Sequence, residues 1–315
     1  PTTTDALVVL GRMRSGPIGD GAISISAASA EKAIRGAIAA PLNISVEDAA
    51  SGMIQLLEQK LLHAVEEISV KRGLDPSRFT LIAAGGAGPM HGASVGRALG
   101  CQRVLVPRDA GVFCALGMLE SDLRLDYFAV LDGLLTEADL AATGPTIEEL
   151  RTQARAEIAR EGVEPADATY QVALDLTYKG QMRALRIEWT PGVDTPETIK
   201  SRFEAEHRRT YGHIKPNTPM RVVAARLTVA VASPPLAHLA REASGEEAAP
   251  STHRRVFLGA GEGWAELPVY LGAHLQPGQA LSGPLIIEEK TTTIFAGSND
   301  TVTVDPAGHY LIEIR

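Results

Sequence analysis

The side chains able to do chemistry are few and scattered. His91 stands just behind Gly85-Gly86-Ala87-Gly88-Pro89-Met90, where an imidazole could serve a bound ligand or a neighbouring site as donor, acid or ligand. It could equally be a histidine hydrogen-bonded within a strand-to-helix junction. His207 and His213 flank Tyr211-Gly212, but their spacing is not that of a helical metal pair, and neither H-x-x-x-H nor C-x-x-C occurs. A metal site wholly within the chain is not expected, while one completed by another chain stays open. Glu288 and Glu289 follow the apolar run 285–287. Adjacent strand residues point to opposite faces, so these carboxylates make a poor acid/base pair, and a strand end with one of them solvated is expected. Thr291-Thr292-Thr293 is β-prone and has no base marked beside it. Cys114 lies near a possible helix start after Gly111, a position that lowers a thiol pKa.

The elements that must position His91 are clear. Residues 79–84 are dense in apolar side chains, the form of a strand covered on both faces, and end abruptly in Gly85, Gly86 and Gly88. Pro89 sits at a first helical position, a helix of small and apolar residues runs to Leu99, and residues 103–106 form a second strand. Turns of this kind, at the carboxyl ends of sheet strands, are where α/β proteins place ligands. Glycines there let backbone approach a flat or anionic group, and a helix start offers free N–H donors. The turn is not the dinucleotide fingerprint, because G-x-G-x-x-G counted from Gly86 lands on His91, and no Gly-Lys-Ser/Thr follows to make a P-loop. Ligand approach and plain close packing of helix on strand both remain readings of the glycines.

The wider context resembles a known family. Arg72-Gly73-Leu74-Asp75-Pro76, the turn itself, Arg103-Val104-Leu105-Val106-Pro107, Gly111-Val112-Phe113 and Ala115-Leu116-Gly117 are similar to the hydantoinase A/5-oxoprolinase family, which includes subunits of ATP-dependent acetone and acetophenone carboxylases. Further matches follow in order. They are Thr4-Asp5-Ala6 with Val9-Leu10-Gly11-Arg12, Tyr178-x-Gly180-Gln181, Phe203 with His207, Tyr211-Gly212, and Gly283-Pro284-Leu285-Ile286-Ile287-Glu288-Glu289. The resemblance implies an α/β fold: the C-terminal lobe of an actin-like ATPase domain (residues 1–130), a linker (131–145), and a mainly antiparallel α+β C-terminal domain (146–315).

It also implies a nucleotide site with Gly85, Gly86, Gly88, Pro89 and His91 on the adenosine side of ATP. Phosphates and Mg²⁺ would be held by glycine hairpins of the D-x-G-G-T kind, which this chain lacks and which lie upstream of Thr4-Asp5 in the family. The implied partners are therefore an N-terminal half carrying those hairpins and a hydantoinase B-type subunit. The implied reaction is phosphorylation of a cyclic amide or carbonyl for ring hydrolysis, with ketone carboxylation as the alternative. A non-catalytic assembly subunit and a plain α/β binding domain are the other readings. Two departures stand out. Gln59-Lys60 occupies a helix position where many relatives carry Asn, which weakens a hydantoinase-type substrate assignment, and Cys114 stands where relatives often have Ser, which favours a small packing residue.

Length and composition set bounds. A chain of 315 residues has two domains as its natural prior, and 45% hydrophobic content fits a globular protein. A net charge of −8 without a basic cluster argues against nucleic acid. Two cysteines make no disulfide framework, no apolar run is long enough for a bilayer, and the first residues are not a signal peptide, so a soluble cytoplasmic protein is expected. The missing Met is compatible with initiator removal, a split-gene subunit or a nick. Helices are expected from Thr4 or Asp5 to Leu10, over 31–40 ended by Pro41, from a Ser45/Asp48 capping box to about Arg72, over 146–160, and over 195–211. A hairpin is expected around Lys179-Gly180-Gln181, a strand over 222–231, a mobile loop over 240–251, and short antiparallel strands thereafter.

Overall fold

The computed structural model describes residues 1–18, 21, 23–233 and 248–314. The chain divides into two compact units, Pro1–Leu119 with Ala237–Arg315, and Glu120–Leu236.

The first unit opens with α1 (Thr3–Val9), whose cap is Thr2: its hydroxyl accepts from the Asp5 N–H at 3.3 Å while Asp5 accepts from the Thr2 N–H at 2.6 Å. Gly11 ends it at φ +74°, and a methyl placed there would lie 2.1 Å from the Arg255 carbonyl oxygen, so only glycine fits. A small hairpin, β1 (Gly16–Ile18) and β2 (Ile23–Ile25), precedes α2 (Ala27–Ile34). Ser26 caps α2, and the coil continues through a π turn into α3 (Ala40–Leu42), past Pro41, until Asn43 turns left-handed. Pro41 is tolerated because it stands in the first turn of that last segment.

The capping box at Ser45 and Asp48 starts α4 (Val46–Ile68) as expected. Its apolar stripe is not buried throughout. Val46, Ala49, Ala50 and Ile54 enter the core, but Leu56 is 68% exposed, Leu61 and Ile68 are also exposed, and no residue of the helix beyond Ile54 is buried. Next come β3 (Thr80–Ile82), α5 (Gly88–Ala98), β4 (Arg103–Val106) and α6 (Phe113–Glu120). β3 is not covered on both faces. Leu81 packs against the core, yet β3 is the edge strand of its sheet, and Phe79 and Ile82 are exposed, Ile82 at 55%. α6 is apolar around its circumference and buries no residue; Met118 is 77% exposed.

The second unit is one antiparallel sheet in the order β5-β8-β6-β7, made of β5 (Leu123–Leu134), β6 (Ala168–Tyr178), β7 (Leu185–Glu188) and β8 (Met220–Val231). Two helices, α7 (Glu137–Arg160) and α8 (Pro196–Tyr211), contribute Leu140, Ile147, Ala154, Ile158, Ile199 and Phe203 to a core shared with the sheet. The interval 131–145, expected as a linker, is the end of β5 and the start of α7. Thr136 caps that helix by accepting from the Asp139 N–H at 3.1 Å, and burial of Leu140 and Thr143 carries it through Gly144-Pro145. The β6/β7 hairpin and α8, capped by Thr195 and closed by Gly212 at φ +77°, follow the sequence reading. The loop expected over 240–251 lies outside the described residues up to 247.

The last stretch returns to the first unit. It holds β9 (Thr252–Phe257), β10 (Trp264–Leu271), β11 (Ala280–Ser282), β12 (Leu285–Glu288), β13 (Thr293–Ala296), β14 (Thr301–Val304) and β15 (Tyr310–Glu313). One sheet runs β13-β12-β10-β9, and another runs β11-β14-β15-β4-β3. In the latter β15 is antiparallel to β4, with Tyr310 opposite Val106, and β3 is parallel to β4. These strands were expected in a separate C-terminal domain. They instead complete the sheet that carries the glycine turn, and Val104, Val106, Ile287, Ile294, Tyr310 and Ile312 share one core.

Candidate functional site around the glycine turn

Three segments meet at the end of β3. The chain leaves the strand with Ala83 donating to the Leu105 carbonyl at 2.9 Å; Gly85, at φ +87°, donates to the Ala110 carbonyl at 2.7 Å. From β12 to β13 a tight turn closes with the Glu289 N–H donating to the Thr292 carbonyl at 2.9 Å. The buried Thr292 hydroxyl donates to the carbonyl of Gly86 at 2.9 Å, with Gly85 at 3.4 Å. Gly111 completes the contact, since a methyl there would lie 2.3 Å from Thr291 Oγ1.

The glycines fall into two groups. A methyl on Gly92 would lie 2.8 Å from Ala83 Cβ, and one on Gly96 would lie 2.7 Å from Val104 Cγ2 and 2.9 Å from Ile314 Cδ1. These two let α5 approach the sheet. Gly86 and Gly88 have no such need. Their nearest neighbours would be the Thr291 carbonyl oxygen at 3.5 Å and an Ala83 backbone carbon at 3.8 Å, ordinary contacts, and neither has positive φ. Gly85 needs glycine for its φ, but nothing lies within 4 Å of where its side chain would point. α5 begins with Pro89 in its first turn and no side-chain cap. Gly85, Gly86 and Gly88 thus present bare backbone, while Pro89 is buried at the start of α5.

His91 does not join that surface. It is buried one turn further along α5, with Nδ1 3.1 Å from Glu58 Oε1 on α4. Arg12 belongs to the same cluster: its guanidinium stacks on Phe295 at 4.5 Å, and burial pushes its pKa below the ordinary value, with the Glu58 charge opposing that shift. His91 therefore ties two helices together behind the turn.

The carboxylates at the end of β12 diverge as expected, but neither is solvated. Glu288 pairs with Arg254 at 2.5 Å, and Glu289, whose side chain is 12% exposed, pairs with buried Arg108 at 3.2 Å and accepts from the Tyr310 hydroxyl. Arg108 also donates to the carbonyls of Leu275, at 3.2 Å, and Gly272. Sequence reading missed Arg108 and Thr292 as neighbours of the turn; the available signal was that each lies within three residues of a glycine or carboxylate already singled out. Cys114 is exposed on α6, so it does not pack within this chain. His207 and His213 sit in a cluster with Tyr178, Phe203 and Tyr211, the His207 ring 5.0 Å from Tyr178 and 5.2 Å from His213. Among the described residues no group of three or more His, Cys, Asp or Glu could hold a metal ion, and no helix is long and apolar enough to cross a membrane.

Bare backbone of this kind lets a flat, weakly charged group approach closely. The turn itself carries no cation; on its two supporting segments the cations are Arg108, already committed to Glu289, and Lys290, exposed between β12 and β13. Residues 1–127 match the hydantoinase/oxoprolinase family, and residues 137–315 match the hydantoinase/oxoprolinase C-terminal domain. The chain belongs to the hydantoinase/oxoprolinase family. It is 32% identical to the caprolactamase subunit alpha of Pseudomonas jessenii, over 98% of this chain and 46% of that protein. It is 30% identical to the acetophenone carboxylase gamma subunit of Aromatoleum aromaticum, over 99% of this chain and 44% of that one. A nucleotide-free structure of acetone carboxylase, from work on ATP-dependent acetone carboxylation, superposes with a TM-score of 0.82 at 26% identity, covering 99% of this chain and 46% of that one. The fold class is thus the family's mixed α/β, actin-like one, and the chain spans about half the length of these relatives.

Proposed function

We propose that this chain is the nucleoside-binding part of an ATP-dependent hydantoinase/oxoprolinase-type enzyme, acting on a cyclic amide or related carbonyl. The observation that carries the reading is the contrast within α5 and its entry: Gly92 and Gly96 are demanded by packing, whereas Gly86 and Gly88 are not, which leaves ligand approach as the reason for bare backbone there. In this reading Gly85, Gly86 and Gly88 face the base and sugar, buried Pro89 fixes the start of α5, and His91 fixes α5 from behind through Glu58. Phosphates and Mg²⁺ are held by a complementary polypeptide, and transfer of a phosphoryl group to a carbonyl oxygen turns a poor leaving group into a good one. The exposed apolar residues Leu56, Ile68, Phe79, Ile82, Met118 and Leu119 support such a partner, because apolar surface of that extent is normally covered. A hydantoinase B-type subunit and a cytoplasmic setting, the latter in line with two unbridged cysteines, belong to the same proposal.

Nucleotide titration of the native assembly tests it: ATP binds, Gly86→Val abolishes binding, and the isolated chain neither binds tightly nor hydrolyses ATP. Robust turnover by the 315-residue chain alone would refute it. Ketone carboxylation is the second reading, favoured by the fit to acetone carboxylase, and a bicarbonate requirement for ATP turnover separates it from hydrolysis.

A further inference from the structure

We propose that Thr292 is a positioning residue of the nucleotide site, turning the N–H groups of Gly86 and Ala87 outward as a donor pair for the bound nucleoside; this rests on the nucleotide reading above. In a trans peptide the carbonyl and the following N–H point in opposite directions, and both peptide bonds, Gly85 to Gly86 and Gly86 to Ala87, are trans. Thr292 is the group that fixes both carbonyls, at 3.4 Å and 2.9 Å, on the side of the β12–β13 turn. The N–H groups of Gly86 and Ala87 must then face the other way. Neither donates to any group among the described residues, although the N–H of Gly85 before them donates to Ala110 and that of Met90 beyond them to Ala87. Ring nitrogens and sugar oxygens of a nucleoside are neutral acceptors of the kind such a pair would serve.

The threonine is itself braced. Its carbonyl accepts from the Glu289 N–H, and Glu289 is held by Arg108 and Tyr310, so the hydroxyl cannot swing away from the turn without disturbing a buried ion pair. Thr291 presses on Gly111 beside it, which keeps the turn seated. The role belongs to the hydroxyl, not to the bulk of the side chain.

The test uses the enzyme as isolated from cells, with the polypeptide that accompanies this chain, and titrates adenosine and ADP against wild type, Thr292→Val and Thr292→Ser. Loss of one oriented hydrogen bond predicts about a five- to tenfold weaker affinity for both ligands in Thr292→Val, with Thr292→Ser restoring affinity to within about twofold. Unchanged affinity in Thr292→Val, or equal loss in both variants with a lowered melting temperature, overturns the proposal. Amide hydrogen exchange of the wild type gives a readout independent of any variant's folding: saturating adenosine slows exchange at Gly86 and Ala87, and unchanged exchange there overturns it. Should the wild type bind neither adenosine nor ADP, the nucleotide reading itself fails; should it bind both while Thr292→Val binds equally well, only the role of Thr292 does.

Discussion

Adding one methyl at a time along the turn and α5 separates ligand glycines from packing glycines. In Gly92→Ala the new Cβ lies 2.8 Å from Ala83 Cβ and 3.2 Å from Val104 Cγ1, short side-chain atoms with no flexible end to give way. Overpacking of this kind costs about 1–3 kcal/mol, and the better helix propensity of alanine offsets about 1 kcal/mol of it. A net loss of up to about 2 kcal/mol should lower the melting temperature by as much as roughly 8 °C for a unit of this size. In Gly86→Ala the nearest atom is 3.5 Å away and φ is not positive, so the folded chain should be as stable as wild type or gain up to about 1 kcal/mol from a stiffer unfolded state. Its nucleotide affinity should nevertheless fall at least tenfold, because the methyl occupies space the ligand needs. Thermal melts and nucleotide titrations on the same preparations measure both quantities. A Gly86→Ala enzyme that melts several degrees lower yet binds ATP normally would show that the turn serves packing, and the assignment of the site would go with it.

Other perturbations test the supports. Glu289→Ala leaves Arg108 buried without its carboxylate and should cost about 3–5 kcal/mol in urea unfolding, while Glu289→Gln, which keeps an acceptor, costs less; equal and small effects would mean the pair is solvated. Burial and the Glu157 carboxylate push the Tyr127 hydroxyl up to about 12, so its protonated form is favoured by folding. That contribution is fully present below pH 10 and is lost as pH rises through about 12; an ultraviolet titration should show one tyrosine ionising late, and Tyr127→Phe should remove that phase. Thr136→Ala removes the cap of α7 and should destabilise the second unit by about 1 kcal/mol, a shift visible in its melting.

What could be read from sequence was local. The strand, glycine turn, helix and strand of residues 79–106 carry their own punctuation, and so do α8, between Thr195 and Gly212, and the β6/β7 hairpin. What could not be read is long-range. Thr292 meets Gly86 across 206 positions, and β15 pairs with β4 although about 200 residues separate them, a pairing that no periodicity announces. Gly144-Pro145 read as a break because propensity argues so, but burial of Leu140 and Thr143 on the sheet outweighs it.

The apolar pattern failed in a more informative way. Leu56, Leu61 and Ile68 have the spacing of a buried helical face, Phe79 and Ile82 the density of a buried strand, and α6 the all-round apolar surface of a buried helix, yet all stand exposed. Spacing specifies that a surface will be covered without naming what covers it. Where pattern and burial agree, as for Val46 to Ile54, the covering element lies among the described residues; where they disagree, no described element covers the face. The disagreements at β3 and α6 lie on the segments that enter and leave the glycine-turn region, residues 79–82 and 112–119, so the polypeptide that covers them would stand beside the bare backbone of Gly85, Gly86 and Gly88. A nucleotide site built half from this chain and half from its complement requires that coincidence, and a structural turn that merely packs does not.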